Sequence, residues 1–223
     1  MRQRANLYRF LSRIYTMEAD KKLLTRMKQM TFPTEVSDAD LQDGYAKLAA
    51  YLAKINLSEK EIAESVTELE VEYARIFLAA GVAHGTAAFP YESVYTSKRH
   101  LVNQEACDDL TALYAAKGLK PREDMYRIPD DHAGLEFEYM ARLCEEAARA
   151  CESDDDTALA EHLQEQMTFF ENHLRRWIPL FGGDISKHAQ TAFYDGIGRI
   201  TRGFMQVETE FLRHFDTRPS YLY

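Results

Sequence analysis

The chain has 223 residues, and its 27 lysines and arginines are outnumbered by 36 aspartates and glutamates, which gives a formal net charge of −9 at pH 7. This acidic balance argues against binding to a nucleic-acid backbone, which usually requires a basic face. Hydrophobic residues make up 46% of the chain, enough for a sizeable core, so the composition also argues against intrinsic disorder. An acidic surface instead suits a cationic partner, such as a peptide that contains arginine.

The cysteine content and the N-terminal pattern indicate in which cellular compartment the protein is expected to fold. Cys107, Cys144 and Cys151 are too few and too scattered for a disulfide framework. The N-terminus passes directly into an amphipathic pattern without the apolar core of a signal peptide, and no apolar run approaches the roughly 18 residues of a membrane span. We therefore expect a reduced cytoplasmic protein without a transmembrane helix.

Apolar residues recur at the helical period along the first half of the chain. Stripes over 7–15 and 23–30 predict two helices, the second interrupted by Pro33. Ser37 is expected to cap a third helix with an inward face over 41–55. A capping-box pattern at Ser58 predicts the start of a fourth helix, with its apolar positions over 62–77.

The same period continues after a glycine-containing stretch. A helix is predicted over 101–114, stopping near Gly118. Asp130 and Asp131 are placed to cap a helix over 135–143, and a later helix over 159–177 is expected to close at Pro179. The last helix covers 193–211, and no window alternates as a strand would.

These elements predict an all-α fold, a compact multi-helix bundle of two lobes. The segment 119–129 contains two prolines and no sustained period, so it is expected to be the hinge. The N-terminal lobe would then cover 1–118 and the C-terminal lobe 130–223.

Motifs for catalysis are largely missing from the sequence. Gly198 and Gly203 have the spacing of a phosphate-binding loop, but Phe204 replaces its lysine, so we expect them to let helices pack closely. No histidine has a glutamate three residues before it, and no Gly-x-Ser-x-Gly is present. His132 and Glu136, four residues apart, form either half of a metal site or an ordinary helical pair.

Two unusual segments lie at element boundaries. Residues 89–95 read Phe-Pro-Tyr-Glu-Ser-Val-Tyr, and such an aromatic cluster can anchor the apolar side chains of another polypeptide or cover helix ends, with Ser93 as a cap. Residues 129–132 read Pro-Asp-Asp-His, which either concentrates charge for a ligand or begins a helix. The residues alone leave both alternatives open.

Together with the Tyr73-Ala-Arg-Ile76-Phe77 helix end, these segments resemble the TorD/DmsD/NarJ family of molybdoenzyme maturation chaperones. The family has an aromatic-x-x-Leu-Phe helix end, then Pro-aromatic-x-Ser-x-Tyr, then Pro-Asp/Glu-Asp-His before a helix that carries a glutamate. The order and the gaps match over most of the chain. Ile76 replaces the usual leucine, and Phe137 stands where leucine is common.

The resemblance implies an all-helical cytoplasmic chaperone that is not an enzyme and carries no cofactor. It implies binding of the N-terminal twin-arginine signal peptide, or another N-terminal segment, of a molybdopterin oxidoreductase, whose apo form is held until its cofactor is inserted. The peptide-binding residues carried over from the motifs are Ile76, Phe77, Tyr91, Ser93, Tyr95, Pro129, Asp131 and His132, with Asp130 and Glu136 in support.

The chemistry of these residues suits that role. The Asp131 carboxylate can pair with a guanidinium group, and the aromatic residues can receive an apolar helix. His132 is expected to make binding pH-sensitive between about pH 5 and 8. Two other classes stay open: an all-helical adaptor for another protein's helix, and a metal-dependent helical enzyme centred on His132 and Glu136. The sequence does not name the client, and both a monomer and a domain-swapped dimer are compatible with it.

Overall fold

The computed structural model describes residues 1–55, 58–78, 81, 85–119 and 128–215. In chain order the helices are α1 Arg2–Thr16, α2 Lys21–Lys28, α3 Ala39–Lys54, α4 Glu59–Phe77, α5 Glu92–Thr96, α6 Glu105–Ala116, α7 Ala133–Glu152, α8 Asp156–Phe169, α9 Arg175–His188 and α10 Ala192–Arg213. A π-helical turn, Phe170–Leu174, joins α8 to α9. These described residues contain no β-strand, and the all-α prediction is confirmed. Within them, no helix is long and apolar enough to cross a lipid bilayer.

One hydrophobic core connects the two halves of the chain. Helix α1 lies along α7, and α3 lies along α10, which also packs against α9. The largest side chains of this core are fully buried and come from both halves: Tyr8, Tyr15, Phe137, Trp177, Phe181 and Phe193. Burying each one contributes roughly 1.5–3 kcal/mol. The division into two lobes stays a prediction, since residues 120–127 of the expected hinge and 216–223 lie outside the described residues.

A buried ion pair ties the first helix to the last. Arg4 donates hydrogen bonds to both carboxylate oxygens of Glu208, at 2.7 and 2.5 Å, and a third to Gln166 at 2.8 Å. Tyr8 donates to the same carboxylate at 2.8 Å. The contact therefore joins α1, α8 and α10, and removal of one partner would leave a buried charge unpaired, at a cost of about 3–5 kcal/mol.

The predicted helix ends are partly confirmed. Ser58 caps α4, and Gly118 follows α6 with φ of +67°, a conformation that glycine adopts without strain. Asp38 caps α3, so the prediction of Ser37 is wrong by one residue. Helix α6 begins only at Glu105, so Leu101 lies outside it.

The prediction that Pro179 ends a helix is wrong. It lies inside α9, which continues to His188. Proline normally breaks a helix because it lacks an N–H and its ring clashes with the preceding turn. Here Trp177 and Ile178 before it and Phe181 and Ile185 after it are all fully buried, and their packing outweighs the local cost.

Glycines allow α9 and α10 to approach each other closely. A Cβ at Gly182 would lie 2.8 Å from the Gly198 carbonyl oxygen, and one at Gly198 would lie 2.7 Å from the Gly182 oxygen. A Cβ at Gly203 would lie 2.5 Å from the Leu41 backbone nitrogen. The prediction that Gly198 and Gly203 serve helix packing is therefore confirmed.

Two neighbouring glycines test this packing. A Cβ at Gly183 would meet no atom nearer than the Arg202 guanidinium, at 3.9 Å. We expect Gly182→Ala to lower the free energy of unfolding by about 1–3 kcal/mol, because it forces the helices apart. Gly183→Ala should leave it unchanged or raise it by up to about 1 kcal/mol, since alanine favours helix. Urea denaturation measures both, and equal effects would contradict the close crossing.

Candidate functional site

Two segments that are far apart in sequence meet at the start of α7. We call residues 89–96, which include α5, and residues 129–136 the clasp. Tyr91 and His132 pair as an isolated antiparallel bridge. The Ala133 N–H donates to the Pro90 carbonyl, and the Glu92 N–H donates to the Asp131 carbonyl, both at 2.9 Å. The structure thus brings together the two segments that sequence analysis singled out.

Asp131 holds the clasp from inside. Its side chain is fully buried, and one carboxylate oxygen accepts the Ser93 N–H at 2.9 Å. That N–H belongs to the first turn of α5, where backbone donors have no partner within the helix. The prediction that Asp130 and Asp131 cap α7 is wrong, because the Asp131 carboxylate is engaged by α5.

His132 caps α7 instead. Its Nδ1 accepts the Gly134 N–H at 3.0 Å, so this ring nitrogen carries no proton. The imidazole lies edge-on to the Tyr91 ring, with centroids 5.2 Å apart. Burial lowers the pKa of His132 to about 3. His132 is therefore neutral between pH 5 and 8 in the free protein, which removes the charge change behind the expected pH-sensitive binding.

Ser93 and Tyr95 connect α5 to other helices. The Ser93 hydroxyl oxygen accepts the Gln104 N–H at 3.0 Å, next to the start of α6, and Tyr91 occupies the cap position of α5 that was considered for Ser93. Tyr95 stacks at 5.4 Å on Trp177 of α9 and donates a hydrogen bond to Asp184. The two contacts position α5 between α6 and α9.

Ile76 and Phe77 lie beneath the clasp, inside the core. Ile76 is fully buried, and its carbonyl accepts the Ala88 N–H at 2.8 Å, which ties the end of α4 to the segment before the clasp. The Phe77 ring lies 6.1 Å from Phe181, and Phe181 lies 6.2 Å from Tyr95. These two residues support the clasp from below rather than line its surface.

The surface of the clasp is formed by the remaining predicted residues. Tyr91, Tyr95, Pro129 and Asp130 are each partly exposed. The Asp130 carboxylate accepts a hydrogen bond from Thr111 of α6 at 2.6 Å. An incoming polypeptide would therefore meet two phenol rings, a proline and an acidic group.

Two glutamates are buried behind this surface. Glu92 accepts from His173 at 2.8 Å, and its other oxygen lies 3.7 Å from the Arg176 guanidinium. Glu136 accepts from the Trp177 indole at 3.2 Å. Burial, followed by the charge of Glu92, raises the pKa of Glu136 well above its usual range. Sequence analysis missed Glu92, although a charged residue amid aromatic ones was a visible signal.

The half metal site considered for His132 and Glu136 gains no support. Each side chain has its own partner, a backbone N–H for His132 and the Trp177 indole for Glu136. Within the described part of the chain, no group of three or more His, Cys, Asp or Glu side chains is arranged to hold a metal ion.

Comparison with known proteins places this arrangement in a family. Residues 35–182, more than half of the chain, match the sequence model of the family described as nitrate reductase delta subunit. The chain belongs to this family, and the resemblance to TorD/DmsD/NarJ chaperones is confirmed. The relatives that match over most of the chain are named chaperones.

Several relatives extend over nearly the whole chain. Chaperone protein TorD of Vibrio cholerae is 26% identical over 206 residues, covering 92% of this chain and 89% of the relative. Chaperone protein TorD of Photobacterium profundum is 25% identical over 212 residues, covering 94% of each chain. A redox enzyme maturation protein from Archaeoglobus fulgidus, 16% identical, shares the fold with a TM-score of 0.52 over 92% of this chain and 94% of its own.

Acid titration tests the environment of His132. The unfolded chain protonates an ordinary histidine below about pH 6.5, whereas the folded protein keeps His132 neutral until about pH 3. His132 therefore does not change the free energy of unfolding above about pH 6.5. As the pH falls below that value, it lowers the free energy of unfolding by up to about 1.4 kcal/mol per pH unit. His132→Asn keeps a capping side chain without the titration, so its unfolding free energy should fall less steeply in urea denaturation from pH 7 to 5. Parallel curves for the two proteins would refute this.

Proposed function

We propose that this protein is a cytoplasmic redox-enzyme maturation chaperone. It binds the N-terminal twin-arginine signal peptide, or another N-terminal segment, of a molybdopterin oxidoreductase and holds the apoenzyme until its cofactor is inserted before export. The observation that carries this proposal is the clasp, in which motif segments far apart in sequence form one surface. Relatives that cover most of the chain and are named chaperones support it.

The exposed part of the clasp suits the apolar stretch of a signal peptide. Tyr91 and Tyr95 present partly exposed rings beside Pro129. Aromatic side chains of this kind bury large areas while losing few rotamers, and they commonly anchor polypeptide partners. The rings are held from beneath, since Tyr91 packs on His132 and Tyr95 on Trp177. A prearranged surface reduces the entropy lost on binding.

The acids of the clasp suit the arginine pair. Asp130 is partly exposed, and Asp131 keeps one carboxylate oxygen without a hydrogen-bond partner among the described residues. Guanidinium groups form short, charge-assisted hydrogen bonds with such oxygens. Asp131 also accepts from the first turn of α5 and His132 caps α7, so in this proposal both buried side chains position the surface.

A second location competes for a cationic segment. A groove of about 560 Å³ runs between α3, α4 and the start of α10, lined by residues that include Tyr51, Glu64 and Glu68. It lies on other helices than the clasp and shares none of the family motif residues. An adaptor that binds another protein's helix would be free to use it.

Leader binding tests the proposed function. Fluorescence anisotropy with twin-arginine leaders of the molybdoenzymes encoded in the same genome should give a Kd on the order of micromolar or tighter for one leader. The Lys-Lys version should bind about tenfold more weakly, because lysine lacks the planar fork of arginine. Tyr91→Ala should also weaken binding about tenfold, about 1.4 kcal/mol, whereas Tyr51→Ala in the groove should not.

The alternatives give different results in the same titrations. A leader that binds equally well with either basic pair would favour a general helical adaptor. Loss of binding in Tyr51→Ala alone would move the site to the groove. If none of the leaders bound, the twin-arginine signal peptide would be the wrong ligand, and a chaperone for another segment of the enzyme or a general helical adaptor would replace it.

A further inference from the structure

Three acidic side chains behind the clasp have more carboxylate oxygens than there are hydrogen-bond donors in contact with them. Glu92, Asp131 and Glu136 are all fully buried. Each has one carboxylate oxygen that accepts a hydrogen bond and one without a hydrogen-bond partner among the described residues. The buried Tyr114 hydroxyl also lacks a partner there. Buried polar atoms are almost always paired with protein, water or a ligand, so this cluster requires an explanation.

The basic side chains around these acids all lie on one side of the cluster, against Glu92. The groups that face Glu92 and Glu136 from the surrounding elements are Asp131, Tyr114, His173, Arg176 and the Trp177 indole. Both basic groups near the cluster, His173 and Arg176, lie against Glu92. Glu136 accepts only from the neutral Trp177 indole. The free protein therefore offers Glu136 no cation within the described residues, and a buried carboxylate in that position needs either a proton or a cationic ligand.

We propose that Glu92 and Glu136 form a cation-accepting site that holds one proton in the free protein and exchanges it for a guanidinium or ammonium group of the bound client segment. The inference rests on the proposed function, because the client supplies the cation. No covalent bond changes: the proton leaves Glu136 for solvent, and the client's N–H groups take its place beside the carboxylates.

Arg176 shows that a guanidinium can approach Glu92 from outside. Its side chain is 54% exposed, yet it lies 3.7 Å from the Glu92 oxygen that has no hydrogen-bond partner among the described residues. At that distance the contact is an ion pair and not a hydrogen bond, so the oxygen remains available. Glu92 follows Tyr91 in the chain at the start of α5, and Glu136 lies in the first turn of α7, so both belong to the clasp.

The electrostatics agree with this geometry. A raised pKa keeps Glu136 neutral at a pH where an exposed glutamate is ionised. A cation beside it favours the ionised form and lowers the pKa again. Binding therefore releases a proton, and affinity increases as the pH rises, by up to about tenfold per pH unit while the free protein holds that proton.

Titration calorimetry of the full chain with a synthetic twin-arginine leader tests the exchange. Measurements at equal pH in two buffers of different ionisation enthalpy should show about one proton released per peptide bound. The same leader with Gln-Gln in place of its arginine pair should release none.

Two glutamine variants locate the proton. Glu136→Gln keeps the side-chain shape without ionising, so proton release and the pH dependence of Kd should both disappear. Glu138→Gln is the matched control, since Glu138 lies on the same helix with its side chain 55% exposed, and should behave as the unmodified protein. The infrared band of a protonated carboxylic acid should be present in the free protein, vanish on leader binding and be missing from Glu136→Gln. Thermal denaturation shows whether both variants are folded.

The outcomes separate this inference from the proposed function. Leader binding without proton release, or release that persists in Glu136→Gln, would overturn the exchange and leave the chaperone function intact. If no leader bound, both the exchange and the proposed binding of a twin-arginine signal peptide would be wrong.

Discussion

The site depends on one constraint, that two adjacent side chains accept hydrogen bonds from the first turns of two different helices. Asp131 accepts from the first turn of α5, and His132 accepts from the first turn of α7. Because Asp131 and His132 are adjacent in the chain, the starts of α5 and α7 are held close together. The backbone bridge between Tyr91 and His132 fixes their relative orientation. His132 is the N-cap of α7, and such a cap typically contributes about 0.5–2 kcal/mol, so the pairing is sensitive to its replacement.

The position of the other site residues follows from this constraint. With α5 held against α7, Glu92 turns inward toward Glu136, while Tyr91 and Tyr95 remain partly exposed. The aromatic core formed by Trp177 and Phe181 then supports α5 from α9. The partly exposed Tyr95 and the buried Glu92 thus both lie on α5, whereas Glu136 belongs to α7. Such an arrangement suits recognition of a segment that is both apolar and cationic.

Local patterns predicted the elements whose causes are local. Helices α1, α4 and α10 have clear apolar stripes. Ser58 directly precedes α4 and Gly118 closely follows α6, so both helix ends are set by neighbouring residues. The missed features depend on distant contacts. Pro179 remains helical because of core packing on both sides. Asp131 accepts the backbone N–H of Ser93 in α5, which lies 38 residues earlier in the chain.

The candidate site shows the same limit. The family motifs identified the residues of the clasp, but no pattern in the sequence indicates which of them point inward. Ile76, Phe77 and Asp131 are buried, while Tyr91 and Pro129 reach the surface. Burial here is decided by α9 and the end of α4, which are distant in the chain. The sequence therefore predicted which residues form the clasp better than which of them reach its surface.

The central claim is that the clasp is where a client segment binds. Amide hydrogen exchange of the full chain, with and without a bound twin-arginine leader, tests it most directly. We expect exchange to slow in residues 89–96 and 128–136, since the peptide would cover the clasp and stabilise its backbone bridge. Slowed exchange confined to the groove lined by Tyr51, Glu64 and Glu68, with the clasp unchanged, would contradict it.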